Sequence, residues 1–190
     1  MNLPNALTVS RIFLTLIFIF FLLSPSLFDK IFALLIFSVA CLTDYYDGKI
    51  ARQRNLITNF GKLADPIADK ILILAPFICF VQLKIVPVWM VVLIMSREFI
   101  ISGVRIFALS QGQALAAEKS GKHKTVSQMV TIFFILLFLI VRLLGQRFNF
   151  WSLQIEQAIR LIIYILMLFA TTLTLSSGVF YLWRNKGLIN

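Results

Sequence analysis

Two apolar runs in this chain, Ile31 to Thr43 and Ile71 to Leu83, are each too short to cross a bilayer, and the segment between them carries four aspartates: Asp44, Asp47, Asp65 and Asp69. A membrane-spanning helix needs roughly 17 to 25 residues. Each run reaches that length only by absorbing part of the aspartate segment, Asp44 to Arg52 in one case and Gly61 to Lys70 in the other. The segment therefore belongs to two helices, the second and third of the chain, at their shared membrane end. An ionised carboxylate at the centre of a membrane helix costs roughly 2.5 to 3.5 kcal/mol, so four of them ask for on the order of 10 kcal/mol of compensation. Something cationic must sit among them.

The remainder of the chain makes a membrane the expected setting. Of its 190 residues 60% are hydrophobic and nineteen are phenylalanine, more apolar surface than a soluble domain of this length buries. Leu7 to Leu23, Ile85 to Leu109, Thr125 to Val141 and Ala158 to Trp183 supply the other spans, which predicts an all-α integral membrane protein with six transmembrane helices. Ser24, Pro25 and Ser26 end the first. The leading MNLPNALTVSR has one basic residue and no small-residue cleavage site, so the first run is expected to be a retained helix. Ser110 to Lys124 is polar, basic and broken by Gly112 and Gly121, the pattern of an aqueous loop. Cys41 and Cys79 lie in apolar runs and are expected to pack as small hydrophobes. With no internal repeat or low-complexity stretch, residues 1–190 are expected to form a single six-helix membrane domain.

Six spans place both termini on one side, together with the aspartate segment. Thirteen of the eighteen lysines and arginines fall on that side, and only Lys30, Lys84, Arg142, Arg147 and Arg160 on the other. The positive-inside rule makes the crowded side cytoplasmic. A multi-pass protein of the cytoplasmic membrane, its site facing the cytoplasm, is the expectation. The net charge of +10 flanks apolar spans, so anionic membrane lipids and phosphorylated substrates are the expected partners and nucleic acid is not.

On helices, Asp44 and Asp47 are three residues apart and Asp65 and Asp69 four apart, so each pair shares a face. Two antiparallel helices joined by a short loop, Thr58 near its end, aim all four carboxylates into one cleft. Hard divalent cations relieve the mutual repulsion, and oxygen-only ligation favours Mg2+ or Mn2+ over zinc. Two such metals would clamp both sides of an in-line phosphoryl displacement. Gly48 and Gly61 leave room beside the cluster for a bulky ligand or for helix packing. Arg52, about a turn beyond Asp47, is placed to grip a phosphate or to snorkel at the interface. Pro66 either bends the third helix near the cleft or sits harmlessly in its first turn.

The pattern DxxDGxxAR, eight residues, then GxxxDxxxD is complete here in Asp44, Asp47, Gly48, Ala51, Arg52, Gly61, Asp65 and Asp69, and it resembles the signature of the CDP-alcohol phosphotransferases. NLPNALTVSR at the start, SREFIISGVR in the fourth span and GKHKT before the fifth resemble the bacterial phosphatidylglycerophosphate synthase branch of that family. The resemblance runs to about Met129; beyond it only span count and length agree. It implies transfer of a phosphatidyl group from CDP-diacylglycerol to an alcohol, with release of CMP. By the same resemblance Asp44, Asp47 and Asp65 would be metal ligands, and Asp69 the base, with some metal contact of its own. Asn5, Thr8, Gly48, Ala51, Arg52, Thr58 and Gly61 would line or cover the CDP-diacylglycerol site. The acceptor in this branch is sn-glycerol 3-phosphate, for which Arg97 and Arg105 of the fourth helix and Lys122 and Lys124 of the 110–124 loop are the candidate ligands. The alternative for the two lysines is a surface patch for anionic lipid. Glu98 is expected to neutralise an arginine or orient Lys70. His123 departs from the family pattern and is expected to be an exposed loop residue. The family's habit of forming homodimers, with the small polar run Thr171 to Gly178, raises the expectation of a homodimer.

The aspartate signature alone does not separate glycerol 3-phosphate from other acceptors: phosphatidylglycerol in a cardiolipin synthase, inositol phosphate, or serine. A cation transporter using the aspartates as its ion site is a further alternative. Against it, no acidic residue continues a pathway deep in spans one, five or six.

Overall fold

A computed structural model describes the backbone of residues 3–54, 59–111 and 120–185, and the side chains of residues 9–43, 67–108, 110–111 and 123–185. Among the described residues there are six helices and no strand: α1 (Leu3–Leu23), α2 (Leu27–Arg54), α3 (Asn59–Gln82), α4 (Val88–Ser110), α5 (Ser120–Arg147) and α6 (Leu153–Arg184). The segments His123–Arg147 and Leu153–Arg184 are long and apolar enough to cross a membrane, and Val9–Leu23 is a shorter apolar stretch.

The helix ends follow from local chemistry. Pro4 is accommodated in the first turn of α1, where its missing N–H costs nothing. α1 stops at Leu23 ahead of Ser24–Pro25, and buried Lys30 of α2 reaches back to donate to the Leu22 carbonyl, satisfying a helix end that water does not reach. Between α3 and α4 the chain reverses through Lys84 at φ 56°, with the Ile85 N–H bonded to the Phe80 carbonyl at 2.9 Å. This turn and Pro87 delay α4 to Val88, three residues later than the apolar run begins. The α5–α6 turn needs Gly145: a Cβ there would stand 2.7 Å from Cε3 of Trp151, whose N–H bonds the Gly145 carbonyl at 3.2 Å. Ser152 then caps α6, accepting from the Ile155 N–H at 3.3 Å.

One boundary corrects the sequence-based expectation. α5 begins at Ser120, so Lys122, His123 and Lys124 stand on its first turns rather than in an aqueous loop. Lysine is a good helix former, and a helix has no reason to stop where its apolar stretch does. His123 is exposed, as expected. Pro66 lies inside α3, well past its first turn, where it removes one backbone donor close to the aspartates.

The core is made of side chains from all six helices, with Phe18, Phe37, Phe77, Met90, Ile135 and Met167 each nearly inaccessible. Phe37 of α2 meets Phe18 of α1 at 5.6 Å and Phe133 of α5 at 5.1 Å between ring centroids, tying the two halves of the bundle together. α1 packs against both α2 and α3, α4 against α6, and α5 against α2 and α6. The outward faces stay apolar: Phe13, Phe20, Phe32, Ile106, Phe169 and Val179 are all at least half exposed. A protein apolar outside as well as inside suits a lipid surrounding. Polar residues are instead buried, Arg11, Arg97, Gln128, Thr171, Thr174 and Ser177 among them.

Candidate active site

Those buried polar groups gather at one end of the bundle, where α1, α3 and α5 start and α2, α4 and α6 finish. The backbone places Asp44, Asp47, Gly48, Ala51 and Arg52 on the last turns of α2, Gly61 and Asp65 on the first turns of α3, and Asn5 and Thr8 on the first turns of α1. Their side chains, with that of Lys122 and the whole of Thr58, lie outside the described residues.

Asp69 is the motif aspartate with a described side chain, and it has a cation beside it. Arg11 of α1, 2% exposed, donates through Nη1 to Oδ1 of Asp69, whose side chain is 52% exposed. The half-buried pair holds the carboxylate at the mouth of the site with its outer side open to solvent. Carboxylate compensation inferred from the sequence thus comes in part from a protein residue. The donor set still fits a hard divalent ion, because every motif ligand is a carboxylate oxygen and Asp69 keeps an accessible face.

Lys70, the residue after Asp69, begins a second set of contacts that crosses the bundle. Its ammonium donates to Ser102 of α4, and the Ser102 hydroxyl donates to the Glu98 carbonyl at 2.8 Å. Glu98 Oε1 accepts from Lys124 of α5 and, at 3.2 Å, from Nη1 of Arg97. Arg97 Nη2 donates in turn to the Ser177 hydroxyl of α6 at 3.1 Å. A layer deeper, Gln128 Nε2 donates to Thr174 Oγ1 at 2.9 Å. Arg97 and Lys124 thus share the Glu98 carboxylate, and Lys70 approaches the same residue through Ser102, so positive charge exceeds negative around Glu98 among the described residues.

Of the four basic residues predicted for the acceptor, the structure joins Arg97 and Lys124 through Glu98. Arg105 is exposed, its guanidinium carbon 5.9 Å from the ring centroid of Tyr181, and among the described residues it makes no hydrogen bond into the Glu98 cluster. Glu98 does neutralise an arginine, as expected, while its tie to Lys70 runs through Ser102. Arg11, Ser102 and Ser177 were not singled out by the sequence. Thr171, Thr174, Ser177 and Gly178 turn inward on α6, whereas Thr172 and Ser176 of the same run are exposed.

The sequence model of the CDP-alcohol phosphatidyltransferase family matches residues 1–183. A CDP-diacylglycerol--glycerol-3-phosphate 3-phosphatidyltransferase of Bacillus subtilis is 40% identical over 150 residues, covering 72% of this chain and 77% of its own. The enzyme of the same name from Rickettsia felis is 41% identical over 137 residues, with 72% and 75% covered. That from Escherichia coli K12 is 35% identical over 141 residues, with 71% and 76% covered.

Proposed function

The chain belongs to the CDP-alcohol phosphatidyltransferase family, whose members are membrane-bound and depend on a divalent metal, and from that premise we propose that it transfers the phosphatidyl group of CDP-diacylglycerol to sn-glycerol 3-phosphate, forming phosphatidylglycerophosphate and CMP. The observation that carries the acceptor is the cluster of Lys70, Arg97 and Lys124 around Glu98, next along α3 from Asp69. A phosphate dianion is stabilised by that excess of positive charge, whereas an uncharged hydroxyl compound gains nothing from it.

Asp44, Asp47, Asp65 and Asp69 would hold two Mg2+ or Mn2+ ions, which when bound neutralise the donor diphosphate. Arg97 and Lys124, helped by Lys122 and Arg105, hold the acceptor phosphate and turn its free hydroxyl toward Asp69. Asp69, kept in place by Arg11, takes the hydroxyl proton as the oxygen bonds to the phosphatidyl phosphorus. The bond from phosphorus to the CMP oxygen breaks, and CMP leaves with the electron pair. Gly48, Ala51, Arg52, Thr58 and Gly61 line the nucleotide side, and Asn5 and Thr8 cover it, in keeping with the packing of α1 against both motif helices.

All of residues 1–190 form one membrane domain in this proposal, each helix spans the cytoplasmic membrane, and the site and both termini face the cytoplasm. The distribution of lysine and arginine supports that orientation. Two copies would associate as a homodimer, the exposed Thr172 and Ser176 of the Thr171 to Gly178 run being open to a second helix. Purified protein given CDP-diacylglycerol, sn-glycerol 3-phosphate and Mg2+ or Mn2+ should release CMP and yield phosphatidylglycerophosphate by mass spectrometry, and EDTA should stop it. No CMP with this acceptor, but release with phosphatidylglycerol, inositol phosphate or serine, would reassign the substrate.

A further inference from the structure

Arg97 reaches the Glu98 cluster by lying across a notch in α6. A Cβ built on Gly178 would stand 2.9 Å from Arg97 Cγ, 3.1 Å from Nε and 3.5 Å from Cδ, so any side chain at this position displaces the arginine stem. The preceding residue, Ser177, is 7% exposed and accepts from Nη2 at the far end of the same side chain. One backbone position thus sets where the stem runs, and its neighbour sets how the guanidinium is turned. Gly103 of α4 makes the contrast, because its Cβ position has nothing within 4 Å.

We propose that Ser177 and Gly178 are positioning residues of the acceptor site, fixing the guanidinium of Arg97 beside Lys124 on the same oxygen of Glu98. The proposal rests on Arg97 being an acceptor ligand. An arginine side chain has several rotamers of similar energy, and a fork that must meet a phosphate tolerates little misplacement. The notch and the hydroxyl together select the rotamer in which Nη1 meets Glu98 and Nη2 meets α6. A displacement on the order of 1 Å at a group that orients substrate is enough to cost catalysis heavily. The effect should fall chiefly on the acceptor, since Ser177 and Gly178 touch the side chain of Arg97, which this proposal assigns to it.

The test is steady-state kinetics on purified Gly178→Ala, Ser177→Ala, Ser177→Thr, Arg97→Ala and, as control, Gly103→Ala, with thermal unfolding of each. Ser177→Ala should raise the KM for sn-glycerol 3-phosphate about ten- to a hundredfold, the loss of one hydrogen bond to a charged group, and Gly178→Ala, which displaces the arginine stem, should raise it as well. The KM for CDP-diacylglycerol should stay near its starting value. Ser177→Thr, which keeps the hydroxyl, should restore most of the acceptor KM, and Gly103→Ala should change nothing. An acceptor KM raised by Arg97→Ala but unmoved by Gly178→Ala and Ser177→Ala would overturn the positioning role. An acceptor KM unmoved by Arg97→Ala itself would instead remove the premise that Arg97 binds acceptor. Should Gly178→Ala fail to fold, Ser177→Ala, which only removes an oxygen, decides.

Discussion

Arg11 and Asp69 are 58 residues apart and meet as an ion pair with one member buried and the other half open. Asp69→Asn is expected to lower kcat by roughly 10²- to 10⁴-fold, the range over which a positioned general base contributes. CDP-diacylglycerol should still bind, because the amide leaves the other three motif aspartates in place; equilibrium binding to the purified variant checks this. Wild-type turnover in that variant would take the base assignment away from Asp69. At this scale the aspartates were legible in the sequence, since a carboxylate in apolar surroundings is conspicuous whatever the fold. Arg11 was not, because in the sequence it is one more positive charge near the start of a span, and the packing of α1 on α3 is what brings it to Asp69. Ser177 was hidden for the same reason. Its partner lies on a helix that no local pattern connects to it.

Helices were legible as apolar stretches, and their ends were less so. An apolar run marks what lipid or core surrounds, whereas a backbone helix continues for as long as its hydrogen bonds do; hence α5 starts at Ser120 and carries the lysines expected in a loop. α4 shows the opposite case, its start set by the left-handed Lys84 and by Pro87 and not by where apolar residues resume. Gly145 tests the turn at the other end of the bundle. Gly145→Val places a side chain against Trp151 and Phe150, so it should destabilise the protein by about 1–3 kcal/mol, the usual cost of overpacking. A lowered unfolding midpoint, with activity per folded molecule retained at low temperature, is the expected result. Loss of activity without loss of stability would mean that the α5–α6 turn communicates with the site.

For the whole molecule, composition sufficed to predict helices with apolar outer faces, but not which helices touch. α1 lies against both helices of the aspartate motif, and α6 against α4 and α5. Orientation can be checked from both ends of the bundle. With Cys41 and Cys79 replaced, a membrane-impermeant maleimide added to intact cells should label Asn149→Cys, and should label Ser110→Cys only after permeabilisation. The reverse pattern would invert the proposed topology. Gly178 also has a consequence for how the enzyme comes into being. Helices enter the membrane in chain order, and Arg97 is delivered with α4, whereas the hydroxyl and the notch that seat it arrive only with α6. The acceptor pocket proposed for this protein is therefore complete only once α6 has been made. A chain cut short before Ser177 would carry the whole aspartate motif into the bilayer and still lack a seat for the arginine.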